Sequence, residues 1–142
     1  NSNILFSSRW SIDTLSHAEK IFRLLSVNEN NLILVNRRPR FFDIPSLLEL
    51  KKPLSESSFN KLAYQLRDKK IKKINNLIQL KAYLSNIKYL DLTSKVCIEK
   101  KSTCIVMHNK NLLFIDNDHF SMSGSKYYSN KIIQEFMKLK IN

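Results

Sequence analysis

Two short apolar runs, "NILFS" at 3–7 and "NLILV" at 31–35, bracket a stretch in which apolar residues recur every three or four positions. Ile12, Leu15, Ala18, Phe22 and Leu25 make that stretch an amphipathic helix. Ser11 is placed to cap it, and Asp13 lies in its first turn, where the helix dipole favours negative charge. "NLILV" is apolar without interruption, as expected of a strand covered on both faces. The loop "RRPRFFDIP" follows, punctuated by Pro39 and Pro45, and Pro53 interrupts what comes next. Helical spacing resumes with Phe59, Leu62, Ala63 and Leu66 behind a Ser57 or Ser58 cap. It continues through Ile71, Ile74, Leu77 or Ile78, and Leu80 or Leu84, as one kinked helix or two. "IKYLDL" is a third strand, and "TCIVM" and "NLLFID" flank "HNKN" as a β-hairpin. A last helix starts at Ser121 or Ser123, with Tyr128, Ile132, Phe136 and Leu139 on one face. Strands alternating with helices predict an α/β fold with a mainly parallel sheet. Ligands of such sheets bind beyond the carboxyl ends of the strands. Ser8-Arg9-Trp10, after the first strand, and Asp116 to His119, after the last, both occupy such ends.

The chain's 142 residues, 43% of them apolar, suffice for one domain with a core. No apolar run approaches the roughly 18 residues that span a bilayer. "NSNILFSSRW" has no basic n-region and no long apolar h-region, so it is not a signal peptide. It reads as a chain entered in mid-domain. The net charge of +12 invites anionic partners. The lysines are dispersed, however, and the one dense basic run, "KKIKK" at 69–73, has a helix's solvated-face spacing. No nucleic-acid-binding motif or aromatic stacking platform accompanies it, so nucleic acid is not an expected partner.

Cys97 and Cys104 are the only cysteines. With His108 they fall short of the four ligands of a structural zinc site. They form a disulfide in an oxidising compartment or remain free thiols in the cytosol. The sequence "IDNDHFSMSG" at 115–124 places a carboxylate, Asp116, three residues before His119. Histidine titrates near neutral pH, and a carboxylate bonded to one ring nitrogen orients it and stabilises the imidazolium. The pair is therefore a candidate acid–base unit. His17 and His108 have no carboxylate at comparable spacing and read as surface or packing residues.

The block "YLDLTSKVCIEKKSTCIVMHNKNLLFIDNDHFSMSGS" resembles the end of the SGNH domain fused to membrane acyltransferases of family 3, within the SGNH hydrolase superfamily. The order is a strand, a two-cysteine loop, a hairpin, D-x-x-H, a serine, a glycine and then the C-terminal helix, as at the end of that family's domain. The looser matches "ILFSSRW" and "NNLIQLKAYL" extend the likeness from about residue 3 to about residue 136. The resemblance implies a doubly wound, flavodoxin-like sheet with helices on both faces and a C-terminal hairpin. It implies that Asp116 and His119 are the triad acid and base, that Cys97 and Cys104 form a disulfide, and that Arg9 and Trp10 lie at the site's rim in packing or substrate contact. It further implies a location on the periplasmic face of the bacterial inner membrane. The implied activity is O-acetyl transfer to surface polysaccharide, or ester hydrolysis, without a metal or other cofactor. The implied partners are a membrane acyltransferase domain, an acyl donor and a polysaccharide acceptor.

One departure is large. The family's nucleophile lies in a Gly-Asp-Ser, and a further glycine serves its oxyanion hole. Here the sole glycine, Gly124, stands beside the last helix. Residues 1–142 are thus expected to be a single incomplete domain that lacks the nucleophile-bearing part, inactive alone, with residues 3–7 as an exposed edge strand. The departures at Phe120, for the usual Leu, and Ser125, for the usual Ala, are mild. The competing expectations are a basic module that binds nucleic acid or anionic glycan, and a degenerate SGNH remnant without catalysis.

Overall fold

A computed structural model describes residues 3–26, 31–49 and 54–141. Strands β1 (Asn3–Ser7), β2 (Asn31–Val35) and β3 (Lys88–Leu90) form a parallel sheet in that order. Ile4 pairs with Leu32, and Leu34 with Tyr89. The unbroken apolar run of β2 is explained by burial on both sides. Leu32 and Leu34 join a core with Trp10, Phe22, Ile78 and Ala82, whereas Ile33 and Val35 meet Leu90 and Leu92 on the opposite face. Among the described residues β1 pairs only with β2, and it is a sheet edge on which Leu5 is 49% exposed.

The first core is covered by α1 (Ile12–Ser16), α2 (Ala18–Ser26) and α5 (Lys69–Leu84), the second by α7 (Met122–Ile141). The expected single helix over 12–25 is two, broken at His17, and Ile12 is exposed. Ser11 caps α1 in a reciprocal capping box with Thr14. Pro45 lies in the first turn of α3 (Ile44–Leu48), and α4 (Glu56–Gln65) follows. Pro53 lies outside the described residues. Ser55, not Ser57 or Ser58, caps α4, its hydroxyl accepting from the Ser58 N–H. Asp68 caps α5, so the long helical rhythm is two helices. Of the alternatives on α5, Ile78 is buried and Leu77, Leu80 and Leu84 are exposed, because Ala82 fills the inward position one turn further on. Lys69, Lys70, Lys72 and Lys73 form the solvated face of α5.

A third core lies beside the sheet, between α4, α7 and the two-cysteine segment. That segment is α6 (Leu92–Val96), β4 (Cys97–Ile98), one 3₁₀ turn (Glu99–Lys101) and β5 (Thr103–Cys104). Cys97 and Cys104 face each other across the β4–β5 pair and are joined by a disulfide, with Cα atoms 4.0 Å apart. The expected hairpin is β6 (Met107–His108) with β7 (Asn111–Leu112), shorter than its apolar flanks. Beyond it the Leu113 N–H still donates to the Val106 carbonyl at 2.8 Å, and Val106, Leu113 and Phe114 enter the third core. Asn60, 8% exposed, holds this turn to α4: its Oδ1 accepts from the Val106 and Met107 N–H groups and its Nδ2 donates to the Met107 carbonyl.

Candidate active site

The carboxyl ends of β1, β2 and β3 open on one side of the sheet. From them emerge Ser8-Arg9, the segment Asn36-Arg37-Arg38-Pro39-Arg40, and Asp91-Leu92. Asn36, buried, ties two of these ends together. Its Oδ1 accepts from the Leu92 N–H at 2.8 Å, and its Nδ2 donates to Asp91 Oδ1 at 2.6 Å. Asn75, buried on α5, grips the backbone of Arg37 from both sides. Its Oδ1 accepts from the Arg37 N–H at 3.1 Å and its Nδ2 donates to the Arg37 carbonyl at 2.8 Å.

The Asp116–His119 loop docks on these ends. It is a tight turn closed by the Ile115 N–H on the His119 carbonyl at 3.0 Å. Asn117 pins it to the loop after β2: its carbonyl accepts from the Phe41 N–H at 2.8 Å and its Oδ1 from the Ile44 N–H at 3.1 Å. Asp116 Oδ1 accepts from the backbone N–H groups of Asp118 at 2.9 Å and His119 at 2.8 Å, an Asx-type turn that holds the carboxylate still. Asp116 Oδ2 then lies 2.8 Å from His119 Nδ1. The Asp118 N–H first of all, with the imidazole and the His119 N–H, lowers the Asp116 pKa to about 2 despite some desolvation. With Nδ1–H donating to Asp116, Nε2 carries the lone pair and is the basic atom. Among the described residues no group bonds to Nε2, and the ring is 55% exposed.

Asp118 is a second carboxylate on the same nitrogen. Its Oδ1 is 3.0 Å from His119 Nδ1, its Oδ2 is 3.2 Å from Arg9 Nη2, and its carbonyl accepts from Arg38 Nε. Sequence reasoning passed over Asp118, although D-x-D-H puts a second acid directly before the histidine. It also passed over Arg37, Arg38 and Arg40, for which "RRPR" at a strand's carboxyl end was the signal. The ligand atoms of Asp116, Asp118 and His119 come within 4.8 Å of one another, close enough to share a cation. The hydrogen bonds to His119 Nδ1 and the ion pair to Arg9 already account for that clustering.

Of the residues singled out from sequence, Arg9 meets the Asp116–His119 loop and Trp10 does not. Trp10 is 1% exposed and packs edge-on against Phe6 and Phe22 in the core. The disulfide lies in the third core, among residues that pack against α4 and α7. A cleft of about 300 Å³ opens between the strand ends and His119, with Ser8, Arg9, Arg37, Arg40 and Asp118 on its walls. Among the described residues no serine hydroxyl hydrogen-bonds the His119 ring.

Gly124 has a packing role. Its backbone lies on that of Leu113, so that a Cβ there would sit 1.8 Å from the Leu113 carbonyl oxygen. The same contact is bracketed by Ser121, whose N–H donates to the Leu113 carbonyl and whose hydroxyl accepts from the Gly124 N–H. The first turn of α7 is thereby fixed directly behind His119 and Phe120.

Among solved structures, the periplasmic domain of a lipopolysaccharide acetyltransferase from Salmonella ser. Paratyphi A is similar, at 15% identity and a TM-score of 0.69. The similarity covers 95% of this chain and 56% of that one, so the chain spans a little over half the length of its structural relative. No curated protein sequence matches it. No helix among the described residues is long and apolar enough to cross a membrane. A family model described as the SGNH domain fused to AT3 domains matches residues 3–134, and this chain belongs to that family.

Proposed function

We propose that this chain is the acid–base half of an SGNH-type O-acyltransferase or esterase domain that acts on bacterial surface polysaccharide. One observation carries the reading: His119 Nδ1 is held 2.8 Å from Asp116 while Nε2 is left open beside a cleft at the carboxyl ends of the sheet. That is the arrangement of a general base with its orienting acid. In the proposed mechanism a serine hydroxyl from a part of the domain outside these 142 residues attacks the acyl carbonyl. His119 Nε2 takes the serine proton and returns it to the departing group. A sugar hydroxyl or water then attacks the acyl-serine, again losing its proton to His119, and the serine is regenerated. Asp116 stays ionised throughout and steadies the imidazolium. The family's fusion to AT3 domains supports a membrane acyltransferase partner, and the Cys97–Cys104 disulfide fits an oxidising, periplasmic setting.

A fluorophosphonate probe tests the reading. The 142-residue chain alone should remain unlabelled. A longer chain that includes a Gly-Asp-Ser segment should be labelled at that serine, and labelling should be lost in His119→Ala. A serine of the present chain that is labelled in a His119-dependent way would overturn it.

A further inference from the structure

Four arginines, Arg9, Arg37, Arg38 and Arg40, share one cleft with His119, and among the described residues Asp118 is its only acidic wall residue. Two of the four are engaged in building the site. Arg9 pairs with Asp118, and Arg38 donates to the Asp118 carbonyl while its guanidinium lies 5.8 Å over the Phe120 ring. The other two make no ion pair among the described residues. Arg37 donates to the Trp10 carbonyl, a neutral partner, and its backbone is immobilised by Asn75 and by Thr93 Oγ1. Among the described residues no carboxylate lies within ion-pair distance of Arg37, Arg38 or Arg40, and the Arg40 guanidinium has no hydrogen-bond partner at all. Burial, followed by repulsion from Arg9 and Arg40, disfavours the charged form of Arg37, and the more distant carboxylates of Asp118 and Asp68 offset this only in part. Like charges held together on a pinned loop cost stability unless an anion is recruited between them.

From this geometry we infer that the cleft binds an oxyanion, carboxylate or phosphate, carried by the acceptor saccharide, with Arg37 and Arg40 as its ligands. Arginine suits this task because its planar fork meets either oxyanion through two parallel hydrogen bonds. The inference rests on the acyl-transfer reading for placing a saccharide in the cleft. An anion held there would set a neighbouring sugar hydroxyl near His119 Nε2.

The test is a titration of the protein, followed by backbone amide NMR at low salt, with galacturonate, galactose 6-phosphate and galactose as probes. Either or both sugar acids should shift the amides of Asn36, Arg37, Arg38, Arg40 and Phe41, and which one does so names the source of the oxyanion. Galactose should not. Arg40→Gln, which removes an exposed guanidinium and keeps the backbone carbonyl that accepts from the Asp68 N–H, should weaken binding about tenfold. The double variant Lys70→Gln/Lys73→Gln, which removes more charge from the solvated face of α5, should leave it unchanged. Binding is read without turnover, so it stands or falls separately from serine labelling. Equal shifts with galactose, or an Arg40→Gln variant that binds as well as the parent, would overturn the inference. So would a single-stranded oligonucleotide that occupies the cleft more tightly than either sugar acid.

Discussion

Arg9 and Asp118, 109 residues apart in the chain, meet through a 3.2 Å ion pair, and the other oxygen of the same carboxylate lies 3.0 Å from His119 Nδ1. The turn after the first strand is therefore linked to the histidine through one side chain. Arg9 is 74% exposed, and an exposed pair of this kind contributes about 0.2–1 kcal/mol. Arg9→Ala should lower stability to urea by less than about 1 kcal/mol. It should nevertheless move the His119 ring ¹⁵N resonances, because Asp118 loses the cation that aims it. An unchanged ring spectrum would show that Asp116 alone sets the imidazole.

The sole glycine makes a sharper prediction. A methyl group at Gly124 meets the Leu113 carbonyl oxygen at 1.8 Å, and both partners are backbone, so neither can swing aside as a side chain would. Gly124→Ala should cost about 1–3 kcal/mol through overpacking, measured by urea denaturation. The displaced first turn of α7 should also perturb the Phe120 and His119 amides. A variant as stable as the parent would mean that α7 slides freely on the Leu113 segment.

The layers of the fold were legible because burial leaves a periodic trace. The unbroken "NLILV" announced a strand covered on both faces, and Phe59 and Ala63 on α4, like Ile71 and Ile78 on α5, kept helical spacing. The break at His17 was not legible, since the apolar rhythm runs straight through it from Leu15 to Ala18. Nor was the exposure of Leu80 and Leu84, because an alanine, Ala82, takes the inward position there. At the site, Asp116 and His119 were visible as a local motif whose geometry is made within one turn. The arginine cluster was not. "RRPR" reads as a solvated loop until the Phe41 N–H on the Asn117 carbonyl brings it against a segment nearly eighty residues away. Contacts of that range leave no periodic trace in one sequence.

The disulfide closes a loop of about eight residues, which on the chain-entropy model stabilises the fold by about 2.5 kcal/mol. Cys97 and Cys104 are both buried in the third core, so replacing them also removes packed sulfur. Cys97→Ala/Cys104→Ala should therefore lose about 2–3 kcal/mol in urea denaturation. Reduction of the parent protein should reproduce most of that loss. Because this core reaches α7 through Tyr128, the variant should also loosen the helix behind His119. A loss confined to a few tenths of a kcal/mol would assign the stability of this core to its aromatic packing instead.

Asp116 connects the site to pH. Its pKa falls from the ordinary 3.8 to about 2, chiefly because the Asp118 N–H donates to it, then through His119. A carboxyl group whose folded pKa is depressed stabilises the native state above its unfolded pKa. That contribution is lost as pH falls through the folded value. The window is therefore from about pH 4 down to about pH 2, and because the carboxylate is 46% exposed the effect is small. The Asp116 carboxyl ¹³C resonance should titrate near pH 2, well below that of an exposed aspartate. In Asp116→Asn the fall in stability across that window should flatten. The variant, which offers an N–H donor where Asp116 Oδ2 accepts, should populate the Nε2–H tautomer, visible in the ring ¹⁵N shifts. Nε2 would then no longer be a base, and on the acyl-transfer reading proposed above the serine labelling of a longer chain should drop by orders of magnitude. A carboxyl midpoint near 4, or an Asp116→Asn ring that keeps Nδ1–H, would mean that Asp118 rather than Asp116 holds the histidine.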